Sequence, residues 1–522
     1  MKNKRIEIIV ISAVLILQTV LYIVFGTQKA YIHMDEAYSF GLASYDKTEI
    51  QDNADFYNNW HDSDYFADYL RVDEDEIYDF SPVYKNQIND VHPPLYYLLL
   101  RLFMGASVGT VTFWTGLVLN IIISLFISVF IYMISQKLLA NQRYIKEKSA
   151  FVTLITACTS ICISNVMYIR MYCLVTLFIV MTLYMHINLL NEERLKPRNL
   201  VAMAAVVICG AMTHYYYLFF ILPLFFLFII KYVREKAYRN MLMYIATYVV
   251  SVMTYVSIFP YAFDHLFSGY RGEGVTDKLL DFAKLQNRIF DFLSILNEYA
   301  FNMIFFLVFG LIIFLQCYRC CYSAQTTCGN SSFMLVCVPS AVYFAIASIC
   351  SPYTEPRYIL PIGGLIVMVS LCYTVRLLSD VCGEIYCGII SVFLAVLMCI
   401  SPIFLELSPS FIFEERVEAA ETIRANSNLP ALYTFNPNHN RFLDDIYLFC
   451  QTDESYITKD IEINRENIIK IFDGKNTSDG IIVYINGGWE NDKVIGVISE
   501  ALGLKTVEYV SRLNACDIYR LS

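Results

Sequence analysis

Two adjacent carboxylates follow the first long apolar run of the chain, in the segment His33-Met34-Asp35-Glu36-Ala37-Tyr38. A carboxylate at a membrane edge loses hydration, and a second carboxylate beside it raises its pKa further, which improves it as a general base. Asp35 and Glu36 are therefore candidate catalytic residues. Two other interpretations are open at this point: ligands of a divalent metal ion, or a solvated start of a loop.

A second candidate segment is Asp90-Val91-His92-Pro93-Pro94-Leu95-Tyr96-Tyr97. Proline suits the first turn of a helix, where a backbone donor is not needed, and a helix N-terminus favours anions. The acid and the imidazole would then stand at a rigid helix start. We predict that Asp90, His92 and Tyr96 bind substrate; the alternative is a helix cap with an incidental histidine.

Two arginines lie between tyrosines at the ends of apolar runs, in Tyr168-Ile169-Arg170-Met171-Tyr172 and Glu355-Pro356-Arg357-Tyr358. Arginine binds phosphate with two parallel hydrogen bonds, but it also anchors helices in the aromatic belt of a membrane. His214-Tyr215-Tyr216-Tyr217 has the same ambiguity. The predicted substrate-binding residues here are Arg170, Tyr172, His214, Tyr215, Arg357 and Tyr358.

The composition indicates what must position these residues. The chain has 522 residues, 57% of them hydrophobic and 16% charged, with a mean hydropathy of +0.50. A soluble domain is about 25% charged, so the apolar excess is expected to face lipid. The net charge of −10 excludes the basic footprint of a nucleic-acid-binding protein. We predict an all-α polytopic membrane protein.

About eleven apolar runs approach the length that spans a bilayer, and in lipid such runs must be helical because the backbone has to bond to itself. The predicted spans are 6–25, 112–136, 150–166, 171–190, 200–213, 215–230, 241–259, 300–316, 333–350, 358–377 and 385–404. The first span follows basic residues and resembles an uncleaved signal anchor.

Lys and Arg concentrate before the first span and after the second, fourth and sixth, which places those segments in the cytoplasm. The N-terminus is then cytoplasmic and the C-terminus extracytoplasmic, and the chemical motifs fall at the outer face. The outer loop 26–111 is acidic, and its Arg101 is expected to snorkel to the interface. A second outer loop, 260–299, is either a mobile cap or a plain connector.

The hydropathy drops after residue 406, which predicts a transmembrane domain over 1–406 and a small extracytoplasmic α/β domain over 407–522. Segments 429–435 and 480–486 are predicted as buried strands, and 438–449 and 492–502 as helices. Segments 506–510 and 516–521 are expected to form a final strand pair.

With these motifs in place, the sequence resembles the membrane glycosyltransferases of the C-type fold. It is most similar to the bacterial branch of glycosyltransferase family 39, with its protein O-mannosyltransferase-like and aminoarabinose-transferase-like enzymes. The resemblance covers residues 1 to about 405. The matching stretches are Asp35-Glu36-Ala37-Tyr38, Asp90-Val91-His92-Pro93-Pro94-Leu95-Tyr96-Tyr97, Arg170-Met171-Tyr172, Thr213-His214-Tyr215 and Arg357-Tyr358-Ile359-Leu360-Pro361.

The resemblance implies an inverting transfer of a sugar from a polyprenyl-phosphate donor to an acceptor hydroxyl of a cell-envelope glycan, lipid or protein. It makes Asp35 the general base with Glu36 in support, and it implies that Arg170 and Arg357 hold the lipid phosphate. No cofactor is required; Mg²⁺ or Mn²⁺ is a candidate ion, because the family is mixed about metals. Nothing carries over to residues 407–522.

A transporter or flippase of a lipid-linked sugar is the alternative function. Secondary transporters place their binding sites near the bilayer midplane and often show internal repeats. The predicted charged motifs lie at one edge of the membrane instead, and the sequence shows no internal repeat. These two features favour the transferase.

Overall fold

The computed structural model describes residues 2–47, 49–267, 282–322, 331–413, 416–513 and 516–522. The middle of the second outer loop, 268–281, lies outside the described residues, so the choice between cap and connector stays open there. The chain forms two compact units. Unit 1 comprises Met1–Gly26, Val91–Tyr96 and Leu117–Ser410, and unit 2 comprises Thr27–Asp90, Tyr97–Gly116 and Phe411–Ser522.

Unit 1 is built from long apolar helices whose outward faces carry exposed Ile, Leu, Val and Phe side chains. Among the described residues, eight helices are long and apolar enough to cross a membrane, and the chain is a multi-pass membrane protein. These spans are Glu7–Gln28, Trp114–Leu138, Tyr172–Leu189, Tyr217–Arg234, Tyr238–Ile258, Ser331–Cys350, Leu360–Cys382 and Glu384–Phe404.

Two of the predicted spans are bent pairs of helices. Ile145–Ala157 and Ser160–Met167 meet at 60°, and Leu285–Ala300 and Phe305–Cys321 meet at 92°. If each bent pair is one span, the described residues hold up to ten. The predicted span 200–213 corresponds to the helix Pro197–Ala211, whose 15 residues rise only about 22 Å, less than the hydrocarbon core. Against the expected count of about eleven, the described residues therefore hold eight to ten such spans. A short helix, Ala262–Phe267, completes the described helices of this unit.

Unit 2 contains a six-stranded mixed sheet. Its strands are β1 (Trp60–Asp62), β2 (Ala431–Thr434), β3 (Glu454–Thr458), β4 (Ile481–Asn486), β5 (Val507–Leu513) and β6 (Cys516–Leu521), in the order β1-β3-β2-β4-β6-β5. β2 is parallel to β3 and β4, whereas the remaining pairs are antiparallel. The predicted strands and the final strand pair are confirmed. Neither β1 nor β3 was predicted; β1 comes from the first outer loop and pairs its Trp60 with Tyr456 of β3.

The helices of unit 2 divide between the first outer loop and the C-terminal region. The loop contributes Met34–Ser44, Ser63–Ala67, Ser81–Asn89 and most of Leu95–Met104, and the C-terminal region contributes Val417–Ala425, Phe442–Phe449, Arg465–Ile471 and Asn491–Leu502. Short 3₁₀ turns of this unit occur at Ile50–Asp52, Glu74–Glu76 and Pro437–His439, and another lies in unit 1 at Pro356–Tyr358. The last two helices pack on the sheet with the apolar core around Ile468, Val483 and Ile498.

Arg101 does not snorkel as expected from the sequence. Its side chain is fully buried and donates hydrogen bonds to the carbonyl oxygens of Ala43, Ser44 and Glu76, at 2.9, 3.1 and 2.9 Å. Because Ser44 is the last residue of its helix, two of these acceptors are carbonyls at a helix C-terminus, which lack intrahelical donors. The guanidinium group therefore ties this helix end to the loop that follows it.

Candidate functional site

The helix Met34–Ser44, which carries the candidate carboxylates, begins with a capping box centred on His33. The amide of Asp35 donates to His33 Nδ1 at 3.1 Å, and the carboxylate of Glu36 accepts the amide of His33 at 2.7 Å. Since Nδ1 accepts a hydrogen bond, the neutral imidazole carries its proton on Nε2. The short sequence His-Met-Asp-Glu thus fixes its own backbone at the first helical turn.

Glu36 is committed to a buried ion pair. Its Oε2 atom lies 3.0 Å from Lys29 Nζ, and both side chains are fully buried. Lys29 Nζ also donates to the carbonyl of Phe411 at 2.6 Å. Burial lowers the pKa of Lys29, and the neighbouring Glu36 opposes that shift. Lys29 was missed by the sequence reasoning, although a single lysine on the predicted outer side of the first span is a usable signal.

Asp35 differs from Glu36 in exposure, because 20% of its side chain is accessible. Within unit 2 its charge acts on Tyr38, whose pKa is raised chiefly by burial, then by its hydrogen bond to Glu49, and also by Asp35 and Asp90. Asp90, half-buried, follows the helix Ser81–Asn89 as its C-cap. Asp35 and Asp90 therefore lie in one electrostatic neighbourhood, and of the adjacent pair Asp35 and Glu36 only Asp35 keeps an accessible carboxylate.

An aromatic cluster in unit 1 joins several of the predicted binding residues. The rings of His92 and His214, both nearly buried, have centroids 5.6 Å apart. Tyr172 packs on His214 at 5.3 Å and stacks on Tyr168 at 5.8 Å. His214 Nδ1 accepts the amide of Tyr216 at 3.0 Å, so its Nε2 atom carries the proton in the neutral ring. The three predicted segments that contain His92, Tyr172 and His214 thus share one cluster.

Arg357 borders this cluster. Its Nη1 atom donates to the hydroxyl of Tyr168 at 3.3 Å, and its guanidinium group lies 5.1 Å from the ring of Tyr358. Glu355 Oε2 is 2.8 Å from Arg357 Nε. Tyr358 in turn lies 6.1 Å from Tyr216, between ring centroids. A cation packed over an aromatic ring, with only 12% of its side chain exposed, is suited to binding an anionic headgroup.

Tyr96 and Asn120 hold the turn that carries Arg170. The Asn120 amide nitrogen donates to the carbonyls of Val166 and Tyr168, at 3.0 and 2.9 Å, and its oxygen accepts the Tyr96 hydroxyl at 3.3 Å. The amide of Arg170 donates to the carbonyl of Tyr168 at 2.7 Å. Asn120 is fully buried within an apolar span and was missed by the sequence reasoning. A lone asparagine in an apolar run is the signal that marks it.

The remaining predicted residues lie in the same unit with their own partners. Arg170 is 6% exposed, next to Tyr168 in the break between two helices. The hydroxyl of Tyr215 lies 2.9 Å from His265 Nδ1. Unit 1 therefore contains His92, Tyr96, Arg170, Tyr172, His214, Tyr215, Arg357 and Tyr358, and unit 2 contains Asp35, Glu36 and Asp90.

A metal site formed by side chains would need several ligands close together. Among the described residues, no group of three or more His, Cys, Asp and Glu is placed to hold a metal ion. The buried Glu36 is already paired with Lys29 and the His33 amide.

The crystal structure of ArnT from Cupriavidus metallidurans bound to undecaprenyl phosphate is similar to the whole chain, with a TM-score of 0.52 and 8% identity over 98% of this chain and 97% of that one. The apo state of the same protein gives a TM-score of 0.52 at 9% identity, with the same coverage. This chain has the ArnT fold. The C-type glycosyltransferase fold predicted from the sequence is confirmed.

A further neighbour, with a TM-score of 0.46 and 8% identity, is the archaeal oligosaccharyltransferase AglB from Archaeoglobus fulgidus in complex with an inhibitory peptide and a dolichol-phosphate; it covers 98% of this chain and 74% of AglB. That score is too low to establish a shared fold. No family model matches the chain, and no curated protein matches it. The likeness to ArnT therefore rests on the path of the backbone.

Asp445, in the C-terminal part of unit 2, predicts how the free energy of unfolding depends on pH. Burial first, and Asp444 second, raise its pKa to about 8, although Tyr31, Cys516 and Arg416 oppose the shift. An unfolded aspartate titrates near about 3.9. Between these values the folded chain binds about one more proton than the unfolded chain, so its free energy of unfolding falls as the pH rises from 4 to 8.

Asp445→Asn mimics the protonated side chain, so we expect this variant to match the parent only at about pH 4 and below, and to unfold at an increasingly higher temperature than the parent as the pH rises to 8. Thermal unfolding in detergent across this range measures the difference. Asp453→Asn, at an exposed position, is the matched control and should follow the parent. Parallel curves for Asp445→Asn and the parent would contradict the assignment.

Proposed function

We propose that the protein is a membrane glycosyltransferase that moves a sugar from a polyprenyl-phosphate donor to an acceptor hydroxyl with inversion at the anomeric carbon. The observation that carries the proposal is the cluster that links Arg357, Tyr168, Tyr172, His214 and His92 within a chain of ArnT fold. The ArnT crystal structure is bound to undecaprenyl phosphate, which supports a lipid phosphate as the anion.

In this proposal Arg357 and Arg170 bind the phosphate, and they stabilise the charge that develops on it as the glycosidic bond breaks. A lipid phosphate is a ready leaving group, so a single displacement needs only a base for the acceptor hydroxyl. Asp35 is that base, because it is the accessible member of the carboxylate pair. Glu36 supports it by accepting the His33 amide that starts the helix.

The aromatic residues and Asp90 complete the proposed site. His92, His214, Tyr172, Tyr215 and Tyr358 offer ring faces and N–H or O–H donors for the sugar and its phosphate. Tyr96 acts through Asn120 on the turn that carries Arg170. Asp90 adds negative charge near Tyr38, which raises the proton affinity of its surroundings. The proposed function covers any sugar carried on such a donor, including mannose as in a mannosyltransferase-like enzyme, and any acceptor that offers a hydroxyl.

We further propose the topology expected from the basic loops, with the N-terminus in the cytoplasm and residues 407–522 outside it. The positive-inside bias of the loops supports this orientation. Alkaline phosphatase and green fluorescent protein fused in turn to the C-terminus test it. An active phosphatase with a dark fluorescent fusion is expected, and the reverse pattern would overturn it.

The general base gives the first functional prediction. Asp35→Asn should lower sugar transfer by roughly 10²- to 10⁴-fold, the typical contribution of a positioned base. The assay uses purified protein with a panel of undecaprenyl-phosphate sugars and measures release of undecaprenyl phosphate. Asp46→Asn, exposed just after the same helix, is the control. Undiminished transfer by Asp35→Asn would exclude Asp35 as the general base. Movement of labelled lipid across the bilayer without any sugar transfer would favour the transporter instead.

The phosphate-binding arginine gives a second prediction. Arg357→Met removes a charge-assisted hydrogen bond, worth about 1.5–3 kcal/mol, so undecaprenyl phosphate should bind roughly 10- to 100-fold more weakly. Arg357→Lys keeps the charge but not the planar fork, and we expect an intermediate loss. The exposed Arg198→Met is the control. Unchanged lipid-phosphate binding by Arg357→Met would contradict the role of this residue.

The candidate divalent ion gives a third prediction. Because Glu36 is neutralised by Lys29, we propose that transfer does not depend on an ion held beside Asp35. Transfer should therefore persist in EDTA and gain nothing from added Mg²⁺ or Mn²⁺. Loss of transfer in EDTA with recovery on adding Mg²⁺ or Mn²⁺ would overturn this proposal and favour a metal-assisted reaction.

A further inference from the structure

Two adjacent acids in the C-terminal region of unit 2 take no part in the chemistry proposed above. Asp444 and Asp445 lie on the helix Phe442–Phe449, and each is only 1% exposed. A buried carboxylate costs free energy unless it has partners, so acids in such a place normally hold something in position. The contacts of these two residues identify what they hold.

Asp444 reaches the start of the helix that carries Asp35. Its Oδ1 atom accepts the amide of Met34 at 2.9 Å, and Met34 is the first residue of the helix Met34–Ser44. The first amides of a helix have no intrahelical acceptor, and negative charge at this end is favourable. Arg441 Nε lies 2.8 Å from the other oxygen of Asp444. Asp444 thus supplies a cap that the helix itself does not contain.

The segment before this helix is attached to the same region. The Tyr31 hydroxyl donates to the carbonyl oxygen of Asp444 and lies 3.2 Å from Asp445 Oδ1. The Arg416 guanidinium group lies 4.8 Å from the ring of Tyr31. The amide of Ala30 donates to the carbonyl of Ile412 at 3.1 Å. Residues 30–34 are therefore held by residues 412–445 through backbone and side chain together.

We infer that Asp444 is a positioning residue for Asp35: the C-terminal region fixes the first turn of the helix Met34–Ser44, and through it the direction of the candidate base. This gives residues 407–522 a part in the reaction without substrate contact. The inference rests on the proposed function, because a base needs a fixed direction only if it takes a proton. Misplacing a catalytic group slightly costs rate rather than affinity.

The hydrogen bond has two ends, and both can be removed. Asp444→Ala removes the acceptor, whereas Asp444→Asn keeps an amide oxygen at the same place. Met34→Pro removes the donor, since proline has no amide hydrogen and suits the first position of a helix. His33 has φ −75° and ψ 154°, which is the extended backbone that a residue before proline requires. Met34→Ala, which keeps the amide, controls for the lost side chain.

Steady-state transfer kinetics of the full chain give the first readout. We expect Asp444→Ala and Met34→Pro each to lower kcat roughly 10- to 100-fold with an unchanged KM for the undecaprenyl-phosphate donor. Asp444→Asn and Met34→Ala should stay near the parent, and the double variant Met34→Pro/Asp444→Ala should be no worse than either single variant. Additive losses in the double variant, or an Asp444→Asn enzyme as slow as Asp444→Ala, would overturn the inference.

Hydrogen–deuterium exchange without substrate separates this inference from the proposed function. Peptides covering residues 31–40 should exchange faster in Asp444→Ala and Met34→Pro than in the parent and the two controls. Unchanged exchange in both variants would contradict the positioning role of Asp444, even if the parent chain transfers sugar. If the parent chain transfers no sugar but the two variants still exchange faster than the parent, the proposed function is wrong, and the hydrogen bond from Met34 to Asp444 is still supported as the contact that fixes this helix start.

Discussion

The first turn of the helix Met34–Ser44 imposes the strictest constraint on unit 2, because its amides need acceptors where the chain leaves the first apolar helix. His33, Glu36 and Asp444 supply them. Glu36 is fully buried, and a buried carboxylate requires a counter-charge, which Lys29 provides at 3.0 Å. The buried ion pair, the capping box and the accessible Asp35 follow from one requirement.

This requirement explains why two neighbouring carboxylates end with different properties. Glu36 points into protein and is neutralised, whereas Asp35, one residue earlier, keeps part of its side chain in solvent. Successive helical residues point about 100° apart, so adjacent acids face different surroundings. The pair is therefore one structural acid and one accessible acid, rather than two equivalent catalytic groups.

Buried polar groups in unit 1 also need hydrogen-bond partners. His186 and His92 differ in the partners that they have. His186 is fully buried; its Nδ1 atom lies 2.7 Å from the carbonyl of Thr182 and its Nε2 atom 2.8 Å from the Tyr244 hydroxyl. Both ring nitrogens have protein partners, so this histidine serves packing. His92 instead belongs to the aromatic cluster that also borders Arg357. A histidine in an apolar run is thus informative only through its neighbours.

The sequence was sufficient for features set by local pattern and insufficient for those set by tertiary contacts. Apolar runs identified the long helices, and alternating strands and helices identified the sheet, because hydropathy period and turn residues are local. Strand β1 was out of reach, since Trp60–Asp62 forms only where β3 offers an edge. Arg101 was misjudged for a related reason: the carbonyls it binds come from helix ends distant in sequence.

The residues of the candidate site also divide into those that local sequence pattern identifies and those that only tertiary contacts identify. Arg357, His92 and His214 could be selected by residue type, because ionisable groups at the ends of apolar runs are costly and therefore conspicuous. Lys29 and Asn120 also stand out by residue type, but their roles do not, and Asp444 gives no such signal, because each acts on a backbone group whose position only the fold defines. At 8% identity to ArnT, the common fold is kept by apolar length and backbone satisfaction, which many sequences provide. The residues that orient the chemistry must then be found one contact at a time.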